Sequence, residues 1–140
     1  MGSIDLQRFL IAQRPTYTIA LAEIKSGKKR SHWMWYIFPQ LESLGFSSTS
    51  KYYGIKSIDE AKEYLMHPVL GKRLIEISNA LLTLDSNNAT HIFGTPDDLK
   101  LKSSMTLFAL LANTDPVFQS VLDKFFNGSN DIKTFQLINA

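Results

Sequence analysis

The sequence predicts an all-α domain, and three observations carry that expectation. Apolar residues recur at i, i+3, i+4 and i+7 along most of the 140 residues, the spacing of a helix with one buried face. Helix starts and stops punctuate these stripes. Ser57-Ile58-Asp59-Glu60 has the form of a capping box, and Pro68, Pro96 and Pro116 each stand where a first helical turn accepts proline. The period-two alternation that strands need is nearly absent.

Read in order, Leu6, Phe9, Leu10 and Gln13 form a first stripe behind Asp5, a good N-cap. Pro15 opens a second segment carrying Tyr17, Ala20, Leu21 and Ile24, and Gly27 ends it. An aromatic run follows Ser31 and stops at Pro39; it is too short for its spacing to separate helix from strand. The serine cluster at 47–50 starts a turn that carries Tyr52 and Tyr53 to Gly54. The capping box leads a helix with Ile58, Ala61, Tyr64 and Leu65 on one stripe, ending before His67. Pro68 is expected at the first position of the next helix, where Leu70, Leu74, Ile77, Leu81 and Leu84 repeat until Asp85-Ser86-Asn87-Asn88 breaks the pattern. Two more helices follow Thr95-Pro96 and Asp115-Pro116. The first places Leu99, Met105, Phe108 and Leu111 on one side; the second carries Val117, Val121, Leu122 and Phe125 and closes at Asn127-Gly128. Asp131 caps a short last helix through Leu137. The expectation is one globular domain over residues 1–140 with about seven or eight helices, some of them short.

Bulk composition narrows the functional classes. An apolar fraction of 44% with 20% charged residues is that of a globular chain rather than a disordered one. The absence of cysteine excludes a disulfide scaffold, a cysteine nucleophile and thiolate metal sites. No apolar run approaches a membrane span, and the first residues lack the order of a signal peptide, so a cytoplasmic protein with no membrane partner is expected. A net charge of +2 does not point to nucleic acid.

Chemistry is concentrated in two places. The first is Lys28-Lys29-Arg30-Ser31-His32-Trp33-Met34-Trp35-Tyr36-Ile37-Phe38-Pro39-Gln40, which holds both tryptophans of the chain. Three cations precede a helix start, which favours anions, and aromatic faces beside them suit a base or another planar ring. Indole and phenol groups need polar partners when buried, so Ser31, His32 and Gln40 read either as those partners or as the wall of a pocket. The second place is Asp97-Asp98-Leu99-Lys100-Leu101-Lys102-Ser103-Ser104-Met105-Thr106. Carboxylates in a first helical turn are stabilised by the macrodipole. Ser103, Ser104 and Thr106 are poor helix-interior residues, so they either bind a ligand or let two helices approach closely. A Ser–His–Asp triad from Ser103 or Ser104, His32 and Asp98 lacks any nucleophile-elbow pattern. His32, His67 and His91 lack the i+3 or i+4 partners of a metal site, so no metal or cofactor is expected.

The run Ser31 to Gln40 also carries a resemblance. With Asp5-Leu6-Gln7-Arg8-Phe9, His67-Pro68 and the Leu70-Gly71 and Arg73-Leu74 pairs, Ile92-Phe93-Gly94, and Asp97 through Phe108, it is similar to a bacterial family of unknown function often labelled "calpastatin-like". These blocks span nearly the whole chain. The resemblance implies an all-helical fold and implies no activity. Lys100 through Phe108 with Pro116 through Leu122 is similar to the C-terminal region of the NADAR enzymes, helical proteins that cleave N-glycosidic bonds to ADP-ribose; a Trp-Gly motif near the C-terminus is missing.

The sequence thus leads to a small-ligand site, open to hydrolytic chemistry, for a nucleotide-like or phosphate-bearing planar molecule. Its pocket is expected between the His32–Gln40 run and the Asp97–Thr106 helix. Trp33 or Trp35 stacks on the ring, Lys29, Arg30 or Lys100 meets the anion, and His32 or Asp98 is the general acid or base. The alternatives are a non-enzymatic interaction module using exposed Trp and Tyr anchors, and an ADP-ribose N-glycosidase related to the NADAR enzymes.

Overall fold

The structure, a computed structural model, describes residues 6–45 and 47–139. Over those residues ten α-helices follow one another: α1 (Gln7–Gln13), α2 (Tyr17–Lys25), α3 (Met34–Ile37), α4 (Ser48–Tyr52), α5 (Ile58–Met66), α6 (Leu70–Leu82), α7 (Ala89–Phe93), α8 (Asp97–Ala109), α9 (Val117–Phe126) and α10 (Ile132–Ile138). A 3-10 turn, Glu42–Leu44, lies between α3 and α4. The fold is all-α, as the periodicity requires. There are more helices than the stripes suggest because α3, α4 and α7 span one turn each, too short to generate a repeat. The aromatic run is therefore partly helical, at Met34–Ile37. Paired extended backbone among the described residues is limited to one parallel bridge, Leu41 to Ile55, where Ile55 N–H donates to the Gln40 carbonyl at 2.8 Å. The N-cap expected at Asp5 lies outside the described residues.

Helix α8 is at the centre, packed by α9, α10, α7 and α5. Contact on several sides explains its composition: Leu101, Ser103, Ser104, Met105, Thr106, Leu107 and Phe108 are all buried, so no single apolar stripe develops. Leu99, expected on the inner side with Met105, is instead 56% exposed, because six residues of helix turn it away from Met105 and leave Leu101 inward. Helix α6 packs on α9, α5 and α2. Its start meets the end of α5 so closely that a Cβ on Gly71 would lie 1.8 Å from the Leu65 carbonyl oxygen. Pro68 precedes this helix instead of opening it. The cap comes from the His67 ring, whose Nδ1 accepts from the N–H groups of Val69 and Leu70 at 3.1 and 3.2 Å.

Two buried polar networks tie the N-terminal half together. Arg8 meets Glu60 at 2.6 Å and donates to the carbonyls of Tyr52 and Gly54. The capping box is consequently half closed: Ser57 Oγ accepts from Glu60 N–H, while the Glu60 carboxylate turns to Arg8 and to Lys56 N–H. Gln13 donates to the Tyr36 carbonyl at 2.7 Å and the Tyr64 hydroxyl oxygen at 2.9 Å, joining α1 to α3 and α5. Burial pushes the Tyr64 phenol well above its ordinary pKa.

Candidate functional site

The aromatic run and the start of α8 do meet, and the contact is built from the C-terminal end of α2 upward. Gly27, at a φ of +83°, turns the chain out of α2 in a conformation that side chains resist. The returning strand of chain places residues 30–33 over Glu23, in the last turn of that helix. The Glu23 carboxylate accepts four hydrogen bonds: from the N–H groups of Arg30 (2.8 Å) and Ser31 (3.0 Å), from Ser31 Oγ (2.6 Å), and from Trp33 Nε1 (2.9 Å). Burial alone would raise its pKa, but the donors from Ser31, Arg30 and Trp33 outweigh burial and hold the carboxyl at about 2.

This arrangement has a pH consequence. A carboxyl whose pKa is lowered by folding stabilises the native state above its unfolded pKa, near 4.3, and that contribution disappears as pH falls toward 2. Glu23 is part exposed, so solvent screening limits the effect to about 1–2 kcal/mol. Urea unfolding of Glu23→Gln should show that deficit at pH 7, and the gap from wild type should close on acidification to pH 2–3. A gap independent of pH would contradict the geometry.

Trp33 is fully buried. Its ring lies against Phe38 and Phe93, with centroids 6.2 and 6.4 Å away, and Lys29 Nζ lies 5.1 Å from its centroid. It is therefore a core residue, and the ring left partly accessible is that of Trp35. Lys29 is held on three sides: its ammonium donates to the Ser31 carbonyl at 2.6 Å, meets Asp97 Oδ2 at 2.9 Å, and faces the Trp33 ring. Its backbone N–H donates to the Ile92 carbonyl, which pins the loop to α7. The other oxygen of Asp97 is 3.5 Å from Lys100 Nζ, and that ammonium lies 4.7 Å from the Trp35 centroid. One carboxylate thus bridges two ammonium groups, each over an indole. Arg30 and His32 are exposed beside this bridge in sequence, and Gln40 is part buried.

The remaining predicted residues are engaged elsewhere. Asp98 is buried, and its carboxylate accepts from Thr90 Oγ1 at 2.6 Å, Thr95 Oγ1 at 3.4 Å and Leu99 N–H at 2.9 Å, a set that fastens α7 to α8. Ser103 and Thr106 donate to the carbonyls of Leu99 and Lys102 in their own helix, and Thr106 Oγ1 also accepts Asp131 N–H from the start of α10. Ser104 is buried with its hydroxyl unpartnered among the described residues. Of the two explanations for these hydroxyls, close helix approach accounts for Thr106. A groove of about 720 Å³ lies away from the predicted set, lined by Leu65, Met66, Ile75, Leu111, Asn113 and Pro116 among others.

Glu23 is the organising residue that the sequence did not single out. Its signal was a carboxylate in the last turn of a helix, where the macrodipole disfavours it and another reason must be sought. No group of three or more His, Asp or Glu side chains gathers as a metal site would among the described residues, and no helix there is long and apolar enough to cross a membrane.

The site and fold define an all-helical domain with a cation–indole face. The chain belongs to the family described as "Protein of unknown function (DUF1810)", whose model matches residues 3–138. It is similar to the conserved hypothetical protein Rv1873 from Mycobacterium tuberculosis, with 44% identity, 97% of each chain covered and a TM-score of 0.95. Neither description carries the calpastatin label. No curated protein matches the chain.

Proposed function

We propose that this chain is a small-ligand-binding domain that takes a planar, phosphate-bearing, nucleotide-like molecule on the face between residues 28–35 and the start of α8. One observation carries the reading: Lys29 and Lys100, each over an indole ring, share the single carboxylate of Asp97. Lys28, Lys29, Arg30 and Lys100 set against the carboxylates of Asp97 and Glu23 leave local positive charge, with Lys28 and Arg30 exposed. The partly exposed Trp35 offers a ring face on which a base can stack. Binding is supported ahead of catalysis. Asp98 is already occupied by three donors, so exposed His32 is the acid–base group left for a hydrolase.

The test is a thermal-shift panel of nucleotides, ADP-ribose derivatives and sugar phosphates. A ligand at a hundredfold its dissociation constant stabilises the native state by about 2.7 kcal/mol, which raises Tm by several degrees in a chain of this size. The expected result is such a shift, lost in Trp35→Leu and kept in a variant at the distant groove such as Met66→Gln. A panel silent at millimolar concentrations overturns the reading. The interaction-module alternative rests on different residues: Tyr52 is 58% exposed, and Met66 on the groove is 82% exposed. Trp33 contributes nothing to it, being buried.

A further inference from the structure

We infer that Lys100 couples ring recognition to phosphate recognition: it covers the Trp35 ring in the free protein and moves to the ligand's phosphate when a planar ring takes its place. This rests on the binding face proposed above and adds to it a residue and a movement.

The argument begins with occupancy. Lys100 Nζ lies 4.7 Å from the Trp35 centroid, within the distance at which an ammonium is attracted to an indole face. An ammonium and a stacked base cannot share one face, so a ring that stacks there displaces the lysine.

The two lysines of the bridge differ in how firmly they are held. Lys29 has an 8% exposed side chain, an ion pair at 2.9 Å, a carbonyl at 2.6 Å and the Trp33 ring. Lys100 has a 23% exposed side chain, the same carboxylate at the longer distance of 3.5 Å, and the Trp35 ring alone. A long, part-exposed ion pair and a part-exposed cation–π contact are both weak. When Lys100 leaves, Lys29 still neutralises Asp97, so departure strands no charge. Its Cα stays fixed on α8, three residues after Asp97, while a flexible four-carbon stem carries the ammonium. The displaced cation therefore remains beside the stacked ring, where a phosphate attached to that ring can meet it. Lys29 keeps its place and sets the floor of the site.

A matched pair of probes separates the two halves of the exchange: adenosine, a ring without phosphate, and AMP, the same ring with one. Both are titrated by isothermal calorimetry in wild type, Lys100→Ala, Lys102→Ala and Trp35→Leu, with urea midpoints confirming that each variant folds. Wild type should bind AMP more tightly than adenosine. Lys100→Ala should weaken AMP about tenfold, as expected for loss of a charged phosphate contact. The same variant should leave adenosine unchanged or severalfold tighter, since the ring face is now open. Lys102→Ala, which removes an equal charge two residues away, should preserve the AMP preference, and Trp35→Leu should lose both ligands. Equal weakening of both probes by Lys100→Ala, or no change in either, overturns the exchange while the binding face stands. A preference lost equally in Lys102→Ala assigns the effect to bulk charge and overturns it too. If neither probe binds wild type, the binding face itself falls and the exchange with it.

Discussion

Replacing Glu60 with alanine is expected to destabilise the fold by about 3–5 kcal/mol, the cost of removing one member of a buried, hydrogen-bonded ion pair. Arg8 and Glu60 meet at 2.6 Å with both side chains only 6% exposed. The guanidinium also donates to the carbonyls of Tyr52 (2.8 Å) and Gly54 (3.0 Å) and lies 4.3 Å from the Phe9 ring centroid. Those contacts keep Arg8 in place after the carboxylate has gone, so the guanidinium cannot swing to water in its stead. Glu60 also accepts Lys56 N–H ahead of α5, and alanine leaves that donor unpaired as well. The check is the urea midpoint. A double change, Arg8→Met with Glu60→Leu, should lose less than Glu60→Ala alone, because no charge is then buried and the volume is retained. A loss below about 1 kcal/mol in Glu60→Ala would mean that water reaches the pair.

This pair also shows what the sequence conceals. Ser57 to Glu60 reads as a local device, and half of it is one: Ser57 does cap α5. The other half is spent on a residue 52 positions earlier, and no spacing rule reaches that far. The same division holds across the molecule. Long helices with one buried stripe, such as α6 and α9, are legible because their buried apolar residues recur at helical spacing. Helix α8 is legible in its start after Thr95-Pro96 and in buried Met105 and Phe108, but not in its full packed surface, because neighbours on several sides also bury Leu101, Ser103, Ser104 and Thr106. Gln13, placed by its spacing on the inner stripe of α1, is indeed buried at 1% exposure; its polarity there was the mark of a buried network, with Tyr64 as its partner.

For the candidate site, the sequence points to two segments that the structure brings into contact, but not to which side chains in them face each other. Spacing places Asp97 and Asp98 one residue apart, and a helix turns neighbours about 100° away from one another. Asp97 consequently reaches Lys29 and Lys100, while Asp98 reaches Thr90 and Thr95. Trp33 and Trp35 divide in the same way across the start of α3, one inward onto Phe38 and Phe93 and one beneath Lys100. Residue type alone cannot make that choice, because indole serves a core and a ligand face equally well.

The two tryptophans should therefore separate sharply on mutation. Trp33→Ala is expected to cost about 3–5 kcal/mol, as for other large aromatic truncations in a packed core. Its Tm should fall by on the order of 10 °C. The lost volume lies between α3 and α7, where no water-accessible space takes it up, since Trp33 is 0% exposed. The change also removes one of the four donors on Glu23 and the aromatic face beneath the Lys29 ammonium, so the loop over residues 28–33 loses two of its supports at once. Trp33→Phe isolates the hydrogen bond: most of the ring volume stays, the N–H goes, and a loss of about 1–2 kcal/mol is expected. With one fewer donor the Glu23 carboxyl should titrate higher, moving the acid limb of the stability profile toward neutral pH in Trp33→Phe. Trp35→Leu, in a part-exposed position, should change stability by under about 1 kcal/mol and leave the acid limb where it is. Equal losses in Trp33→Ala and Trp35→Leu would show that the loop is not organised by the buried indole, and the cation–indole face would then have no rigid base beneath it.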